Sequence, residues 1–204
     1  MKVTKVKQNS PEWFQMRLGK VTGSKPKDLI TKRGNTVKKG VFRLIADKLE
    51  DVQIVESYRE RGHDLEPEAI AEVEKYLGVV IDTDMFWESE EYPGLALSPD
   101  GGIDTDGVYT EAVEIKCLDG ANHLEAVITN EVPNDYIDQA VHYFLVNPDL
   151  KVLHFAFYHP AIPSKKLHVI RIAREQMEQR IKENLESILG IQEYVDEWVE
   201  RLAF

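Results

Sequence analysis

Apolar residues recur at helical spacing near both ends of the chain. Ser10, Pro11 and Glu12 predict a helix start, because a serine cap, a first-turn proline and an acidic side chain all suit the amino end of a helix. Gly19 is expected to end this helix, and Gly78 to end a later one. The same spacing predicts further helices over residues 38–50, 57–77, 134–146 and 175–203.

The middle of the chain changes to short runs that are typical of β-strands. Asp106-Gly107 is a hairpin-turn signal between two of these runs. The pattern predicts one α/β (α+β) domain, in which helices flank a central mixed β-sheet. Within residues 1–204 we expect a basic helical part (1–50), a core (51–172) and a C-terminal helix (173–204). The predicted strands cover residues 79–82, 84–87, 95–97, 103–105, 112–117, 152–158 and 167–172.

Composition excludes several classes of protein. A length of 204 residues suits one domain, and 43% hydrophobic with 30% charged residues is typical of a globular protein. A lone Cys117 cannot form an internal disulfide or a multi-cysteine metal centre. Residues 1–10 lack the apolar run of a signal peptide, and no segment approaches the roughly 20 apolar residues of a membrane helix. We therefore expect a cytoplasmic protein with no membrane partner.

The net charge of −11 hides a strong asymmetry along the chain. Residues 1–48 contain thirteen Lys and Arg residues but only three acidic ones, so the excess of acids lies in the remainder. Such a division suits a protein with one face for a polyanion and another face that repels it. A solvated lysine-rich surface explains the same charge distribution equally well.

Two short segments carry the candidate chemistry. Asp100 lies in the stretch SPDG, and thirteen residues separate it from Glu114. Because side chains alternate along a strand, Glu114 and Lys116 share one face and Ile115 points to the other. If the two strands pair as a hairpin, Asp100 can approach Glu114. Two carboxylates and the carbonyl of Ile115 could hold Mg²⁺, and Lys116 could orient a water for phosphodiester hydrolysis.

Two other interpretations of these segments stay open. Glu and Lys at a spacing of two are also typical of an edge strand that exposes polar side chains to water. Asp100, Asp104 and Asp106 form an acidic, glycine-rich stretch that could bind calcium. The spacing and the closing glutamate of a twelve-residue calcium loop are absent, so we interpret Asp104 and Asp106 as hairpin residues.

Further stretches, in a consistent order along the chain, carry a resemblance to a known family. The chain resembles the lambda exonuclease and YqaJ-like viral recombinase family, whose members are nucleases of the PD-(D/E)XK type. The resemblance implies a restriction-endonuclease-like core. The stretches are SPEWFQMR (residues 10–17), VTGS (21–24), GHDLEPEA (62–69), SPDG (98–101), EIKC (114–117) and YIDQ (136–139).

The same resemblance implies roles for single residues. Lys116 would position or activate the attacking water, and Gln139 would steady that water or Lys116. The metal ligands would be Asp100, Glu114 and the carbonyl of Ile115, with Glu66 near a second ion. A pocket for a 5′-terminal phosphate would consist of Arg17, Ser24 and Ser98.

The activity that the resemblance implies is digestion of one strand of duplex DNA from its 5′ end, which leaves a 3′ overhang. It implies two Mg²⁺ or Mn²⁺ ions, a ring-shaped homotrimer on DNA ends and a single-strand annealing partner in phage recombination. The chain departs from the family after Lys116, where Asn122 and His123 stand in place of a further basic phosphate ligand. The alternatives are an endonuclease or helicase-associated nuclease of the same core, or a catalytically silent protein that binds DNA ends.

Overall fold

The computed structural model describes residues 1–23 and 65–203, which form two β-sheets with helices packed against them. The predicted helix over residues 38–50, the predicted helical residues 57–64 and Ser24 lie outside these described residues. The helices are α1 (Pro11–Arg17), α2 (Glu66–Leu77), α3 (Gly120–Thr129), α4 (Asn134–Val146) and α5 (Glu178–Leu202), with 3₁₀ turns at Pro163–Lys165 and Arg174–Gln176. The strands are β1 (Lys2–Lys5), β2 (Met85–Glu88), β3 (Ala96–Leu97), β4 (Gly101–Thr105), β5 (Val108–Lys116), β6 (Val152–Tyr158) and β7 (Leu167–Ala173).

The smaller sheet has the antiparallel order β1-β2-β3. The hydrophobic pattern does not predict β1, because most of its residues, including Lys2 and Lys5, are exposed at this edge. Its partner β2 supplies the apolar surface, since Met85, Phe86 and Trp87 are all fully buried. A polar edge strand of this kind is held by its neighbour and carries little signal of its own.

The strand predicted over residues 79–82 is wrong. Gly78 ends α2 in the left-handed region, with φ of 71°, and the chain turns back so that the Val79 N–H donates to the Glu74 carbonyl at 3.3 Å. Pairing in this segment consists of one isolated bridge, in which Asp82 and Gly102 exchange backbone hydrogen bonds of 2.8 and 2.9 Å. The apolar run at residues 79–81 therefore follows the end of α2 without forming a strand.

The larger sheet has the mixed order β4-β5-β6-β7, in agreement with the predicted fold class. Asp106, with φ of 55°, and Gly107, with φ of 84°, form the predicted hairpin turn between β4 and β5. Asp104 Oδ1 accepts a hydrogen bond from the Gly107 N–H at 2.6 Å, which makes Asp104 a hairpin residue. Strands β5 and β6 are parallel, so the chain between them must cross over, and this crossover carries α3 and α4.

The two faces of the larger sheet belong to different hydrophobic layers. On one face, Ile115 packs in a cluster with Ala69 and Val73 of α2. On the other face, Phe155 of β6 packs in a cluster with residues of α4 and α5. Neighbours along β5 therefore point into opposite layers, which places Glu114 on the side of α4.

Helix α5 covers 25 residues, a length that could span a lipid bilayer. It is an amphipathic helix, however, and its residues Ile188 and Val195 are buried in the hydrophobic cluster on the α4 side of the larger sheet. No helix within residues 1–23 and 65–203 is both long enough and apolar enough to cross a membrane.

His142 of α4 connects three parts of the fold. Its Nε2 lies 3.1 Å from the carbonyl oxygen of Val21 and 3.0 Å from that of Ala96, and its side chain is fully buried. Burial lowers the pKa of His142 from 6.5 to about 4. The folded protein therefore holds this ring neutral at pH values where the unfolded chain protonates it.

We expect the free energy of unfolding to fall as pH drops from 6.5 to about 4, because only the unfolded chain takes up a proton on His142 in that window. The effect is on the order of 3 kcal/mol, since one unit of pKa corresponds to about 1.4 kcal/mol. Denaturant unfolding above and below the window measures it. His142→Asn keeps an N–H donor without a titrating ring and should show a shallower decline. Equal declines in both proteins would contradict this account.

Candidate active site

A cleft of about 350 Å³ lies where α1, the start of α2, the β3–β4 connection, β5 and α4 meet. It collects side chains that are far apart in the sequence. Ser24 lies outside the described residues, and the structure brings the other predicted site residues together. Those that line the cleft are Arg17, Glu66, Ser98, Asp100, Glu114, Ile115, Lys116 and Gln139.

Glu114 is the centre of a hydrogen-bond network in this cleft. It is only 2% exposed, and its Oε1 accepts hydrogen bonds from Lys116 Nζ and Gln139 Nε2, each at 2.5 Å. The contact with Lys116 follows from strand alternation, because both side chains leave the same face of β5. The contact with Gln139 arises because α4 packs across that face. A carboxylate buried this deeply requires such donors.

Asp100 reaches β5 from the neighbouring strand. Gly101 of β4 pairs with Val113 of β5, and extending this register by one residue places Asp100 opposite Glu114. Asp100 Oδ2 accepts a hydrogen bond from the Ile115 N–H at 2.7 Å. Burial, followed by the charge of Glu114, raises the pKa of Asp100 well above its ordinary value of 3.8. The two carboxylates thus share a site in which their repulsion favours a bound positive charge.

Lys116 supplies one such charge. Burial lowers the pKa of Lys116, but the carboxylates of Glu114 and Asp100 raise it more, so the net shift is upward and the side chain is an ammonium group. Its Nζ also lies 5.2 Å from the centre of the Tyr136 ring, within the range of a cation–π contact. With 22% of the side chain exposed, the ammonium group can still face a molecule that enters the cleft.

Tyr143 belongs to the same network, and the sequence analysis missed it. It is 1% exposed, and its hydroxyl donates a hydrogen bond to Glu114 Oε2, the oxygen that Lys116 and Gln139 leave open. Burial, followed by the charges of Glu114 and Asp100, raises the pKa of Tyr143 well above 10, so the hydroxyl keeps its proton. A signal did exist, because Tyr143 follows Gln139 by four residues and therefore shares its helix face.

Arg17 lines the cleft from α1. Its Nη2 donates to Thr22 Oγ1 at 2.9 Å, and its guanidinium group lies 4.2 Å from the centre of the Trp13 ring. Trp13 donates in turn from Nε1 to Ser98 Oγ at 2.6 Å. Burial lowers the pKa of Arg17 to about 10, which leaves it charged at neutral pH. A half-buried cation beside a hydroxyl group is a suitable site for an anion.

The oxygen donors of the cleft fit a hard divalent cation. Asp100 and Glu114 supply two carboxylates, and the charge of Glu66 also contributes to the raised pKa of Asp100. Neither in this cleft nor at any other place in residues 1–23 and 65–203 do three or more His, Cys, Asp or Glu side chains form a group that could hold a metal ion by themselves. Mg²⁺ does not need one, because it commonly uses one or two protein carboxylates and keeps several waters.

Comparisons with known proteins identify a family and related folds. The family model for the YqaJ-like viral recombinase domain matches residues 12–147. The chain is similar to the crystal structure of LHK-Exo, an alkaline exonuclease from Laribacter hongkongensis, with 26% identity and a TM-score of 0.82 over 95% of this chain and 96% of that one. No curated protein sequence matched the chain.

Two further solved structures share the fold. LHK-Exo in complex with dAMP is 24% identical, with a TM-score of 0.76 over 95% of this chain and 98% of that one. A phage-related exonuclease from Haemophilus somnus 129PT is 14% identical, with a TM-score of 0.59 over 90% and 96% of the two chains. The fold is therefore that of the PD-(D/E)XK nucleases, and the relatives indicate a nuclease role in recombination. On the match over residues 12–147, the chain belongs to the YqaJ-like viral recombinase domain family.

Proposed function

We propose that this protein is a Mg²⁺-dependent exonuclease that digests duplex DNA in the 5′-to-3′ direction and leaves 3′ overhangs for recombination by single-strand annealing. The observation that carries the proposal is the placement of Glu114 between Lys116 and the opposing residue Asp100, in a cleft that also contains Arg17. The exonuclease activity of the relatives supports it.

In this proposal Asp100, Glu114 and the carbonyl of Ile115 hold one Mg²⁺ or Mn²⁺ ion, and Glu66 lies near a second. A divalent ion bound there would polarise the phosphodiester and lower the pKa of a coordinated water. The pair of facing carboxylates supports this assignment. Burial and then the charge of Glu114 raise the pKa of Asp100, and a bound cation would offset both effects by favouring the charged carboxylate.

Lys116 and Gln139 are proposed to act on the reacting groups themselves. The ammonium group of Lys116 would stabilise the negative charge that develops on the phosphate and orient the attacking water. Gln139 holds the carboxylate of Glu114 from α4 at 2.5 Å, and its carbonyl oxygen can accept a hydrogen bond from that water. Glu114 thereby fixes both groups in place before substrate arrives.

The polarity of digestion is proposed to come from an anion pocket at Arg17. Arg17 and the hydroxyl group of Ser98, together with Ser24, would bind a 5′-terminal phosphate while the next phosphodiester lies at Asp100 and Glu114. The contacts that orient Arg17 and Ser98, through Thr22 and Trp13, support this role because they pre-organise the donors.

The partners in this proposal are double-stranded DNA ends, a single-strand annealing protein and two further copies of the chain in a ring, in the cytoplasm of a bacterial host. The basic residues 1–48 would supply the contacts to the DNA backbone, and the acidic remainder the outer surface. Sizing under native conditions should give about three times the 23.4 kDa of one chain. A monomeric mass would contradict the ring.

Degradation of three DNA substrates tests the proposed activity. Purified protein is incubated with linear duplex carrying a 5′ phosphate, linear duplex carrying a 5′ hydroxyl and covalently closed circles, with and without Mg²⁺. We expect Mg²⁺-dependent loss of linear duplex, fastest with the 5′ phosphate, and intact circles. Cutting of circles would indicate an endonuclease instead. Binding of ends without any cleavage would indicate a catalytically silent protein.

Removing the Tyr143 hydroxyl should weaken the site without unfolding it. We expect Tyr143→Phe to lower kcat about tenfold, because Glu114 loses a charge-assisted hydrogen bond. The half-saturating Mg²⁺ concentration should also rise. The matched control is Tyr109→Phe, which removes a hydroxyl that donates to Asp82 at 2.7 Å outside the cleft and should leave both quantities unchanged. Wild-type values for Tyr143→Phe would remove this residue from the network.

A further inference from the structure

Gln8 is a cleft residue that the proposed function has not used. It follows β1, where the Val6 N–H donates to the Asp84 carbonyl at 2.9 Å and keeps the segment beside β2. The next residue, Asn9, has φ of 62°, and this left-handed turn leads the chain into the Ser10 cap of α1. The turn leaves the side chain of Gln8 on the wall of the cleft, between strand β1 and the helix that carries Arg17.

The amide group of Gln8 lies against the loop that joins the two proposed binding sites. Gln8 Nε2 is 3.4 Å from the carbonyl oxygen of Pro99, and Pro99 stands between Ser98 and Asp100 in the chain. A hydrogen bond of that length is weak and can be exchanged for a better acceptor. The amide also has a second N–H donor. A phosphate bound near Ser98 would offer such an acceptor.

The cleft is short of positive charge for a terminal phosphate, which carries about −1.5 to −2 charges at neutral pH. Of the cleft-lining residues that the structure describes, Arg17 and Lys116 are the cations, and Lys116 is already paired with Glu114. The side-chain amide of Asn122 donates a hydrogen bond to Asp119, and Asn122 is not one of the cleft-lining residues. It therefore does not supplement Arg17.

His123 does not line the cleft either. It is fully buried, and its Nε2 lies 2.7 Å from the carbonyl oxygen of Lys165. Among the described residues that line the cleft, Gln8 is a neutral donor from another element that is in position to supplement Arg17.

We infer that Gln8 is a specificity-determining residue whose side-chain amide donates a hydrogen bond to the 5′-terminal phosphate of the DNA. The inference rests on the proposed function, since it assigns that phosphate to the pocket at Arg17 and Ser98. Within the described part of the cleft, the 5′ phosphate would then be bound by the guanidinium group of Arg17 together with neutral donors.

Substitutions at position 8 test the inference through the ratio of kcat/KM on 5′-phosphate and 5′-hydroxyl linear duplexes. Gln8→Ala should lose about tenfold on the 5′-phosphate substrate, as expected for a hydrogen bond to a charged group, and lose much less on the 5′-hydroxyl substrate. Gln8→Glu should reduce the ratio further, because a carboxylate repels the phosphate. Gln192→Ala is the matched control, since it removes an amide that donates to the Pro93 carbonyl at 3.1 Å away from the cleft-lining residues and should leave the ratio unchanged.

A purely structural role for Gln8 would lower both values of kcat/KM equally, and an unchanged ratio in Gln8→Ala would overturn the inference. Fluorescence anisotropy of labelled duplex ends in EDTA measures binding without cleavage. It therefore separates this result from failure of the proposed activity. If the wild-type protein does not cleave DNA, the proposed function fails. Gln8 is then still judged by whether Gln8→Ala reduces the preference for binding ends that carry a 5′ phosphate.

Discussion

Lys116→Ala is expected to lower kcat by about 10²–10³, the usual effect of removing one pre-organised charge from an active site. The ammonium group of Lys116 is held by Glu114 at 2.5 Å in the middle of the cleft, where no other described cation can replace it at that distance. Binding of DNA ends should be largely retained, because Arg17 and the basic residues 1–48 are intact. Single-turnover cleavage of linear duplex and fluorescence anisotropy measure the two effects separately.

Lys166→Ala is the matched control for this variant. Lys166 pairs with Glu72 at 2.8 Å on α2, so its removal deletes a lysine and an ion pair that lie away from the cleft-lining residues. We expect cleavage by Lys166→Ala at the wild-type rate. Undiminished cleavage by Lys116→Ala would remove Lys116 from the mechanism, and parallel losses of binding and cleavage would assign it to DNA affinity.

Asp100→Asn is expected to abolish cleavage and, at the same time, to stabilise the metal-free protein. The substitution removes a half-buried carboxyl group that faces Glu114, while the Asn oxygen can still accept the hydrogen bond from the Ile115 N–H. Relief of that repulsion should raise the melting temperature by a few degrees, since about 1 kcal/mol shifts it by about 2–4 °C in a protein of this size. Mg²⁺ should stabilise the wild-type protein, by mass action, and have little effect on Asp100→Asn.

Asp104→Asn serves as the comparison for Asp100→Asn. Asp104 Oδ1 accepts a hydrogen bond from the Gly107 N–H at 2.6 Å in the hairpin turn. Its carboxylate is exposed, and the residue opposite it on β5 is Tyr109, which is not a carboxylate. We expect this variant to keep its activity and its stabilisation by Mg²⁺. Thermal unfolding of the three proteins with and without Mg²⁺ is the measurement. A lower melting temperature for metal-free Asp100→Asn would show that the acidic pair is not strained.

Much of the site geometry follows from local rules that apply to any strand. Alternation along β5 predicts that Glu114 and Lys116 share a face, and the structure shows them in contact. The hairpin signal at Asp106-Gly107 predicts that the preceding strand folds back, and the resulting register brings Asp100 opposite Glu114. The roles of these residues in catalysis remain predictions, whereas the mixed sheet and the family are confirmed.

Other features could not be predicted because they depend on packing between distant segments. Tyr143 is a buried residue of α4, and the sequence alone does not distinguish it from an ordinary core residue. Its hydrogen bond to Glu114 arises because β5 packs against that helix. Strand β1 is polar and forms only because β2 offers an edge. Helix α3 exposes Leu124 and Ile128, 40% and 80% accessible, so its apolar positions do not mark the side that packs.

The central claim is that Asp100 and Glu114 hold a divalent cation beside Lys116. Anomalous diffraction from crystals soaked with Mn²⁺ tests it most directly. The account predicts a peak within ligand distance of both carboxylates, lost in Asp100→Asn. Absence of a peak at this position in the wild-type protein, with Mn²⁺ bound elsewhere or not at all, would contradict it.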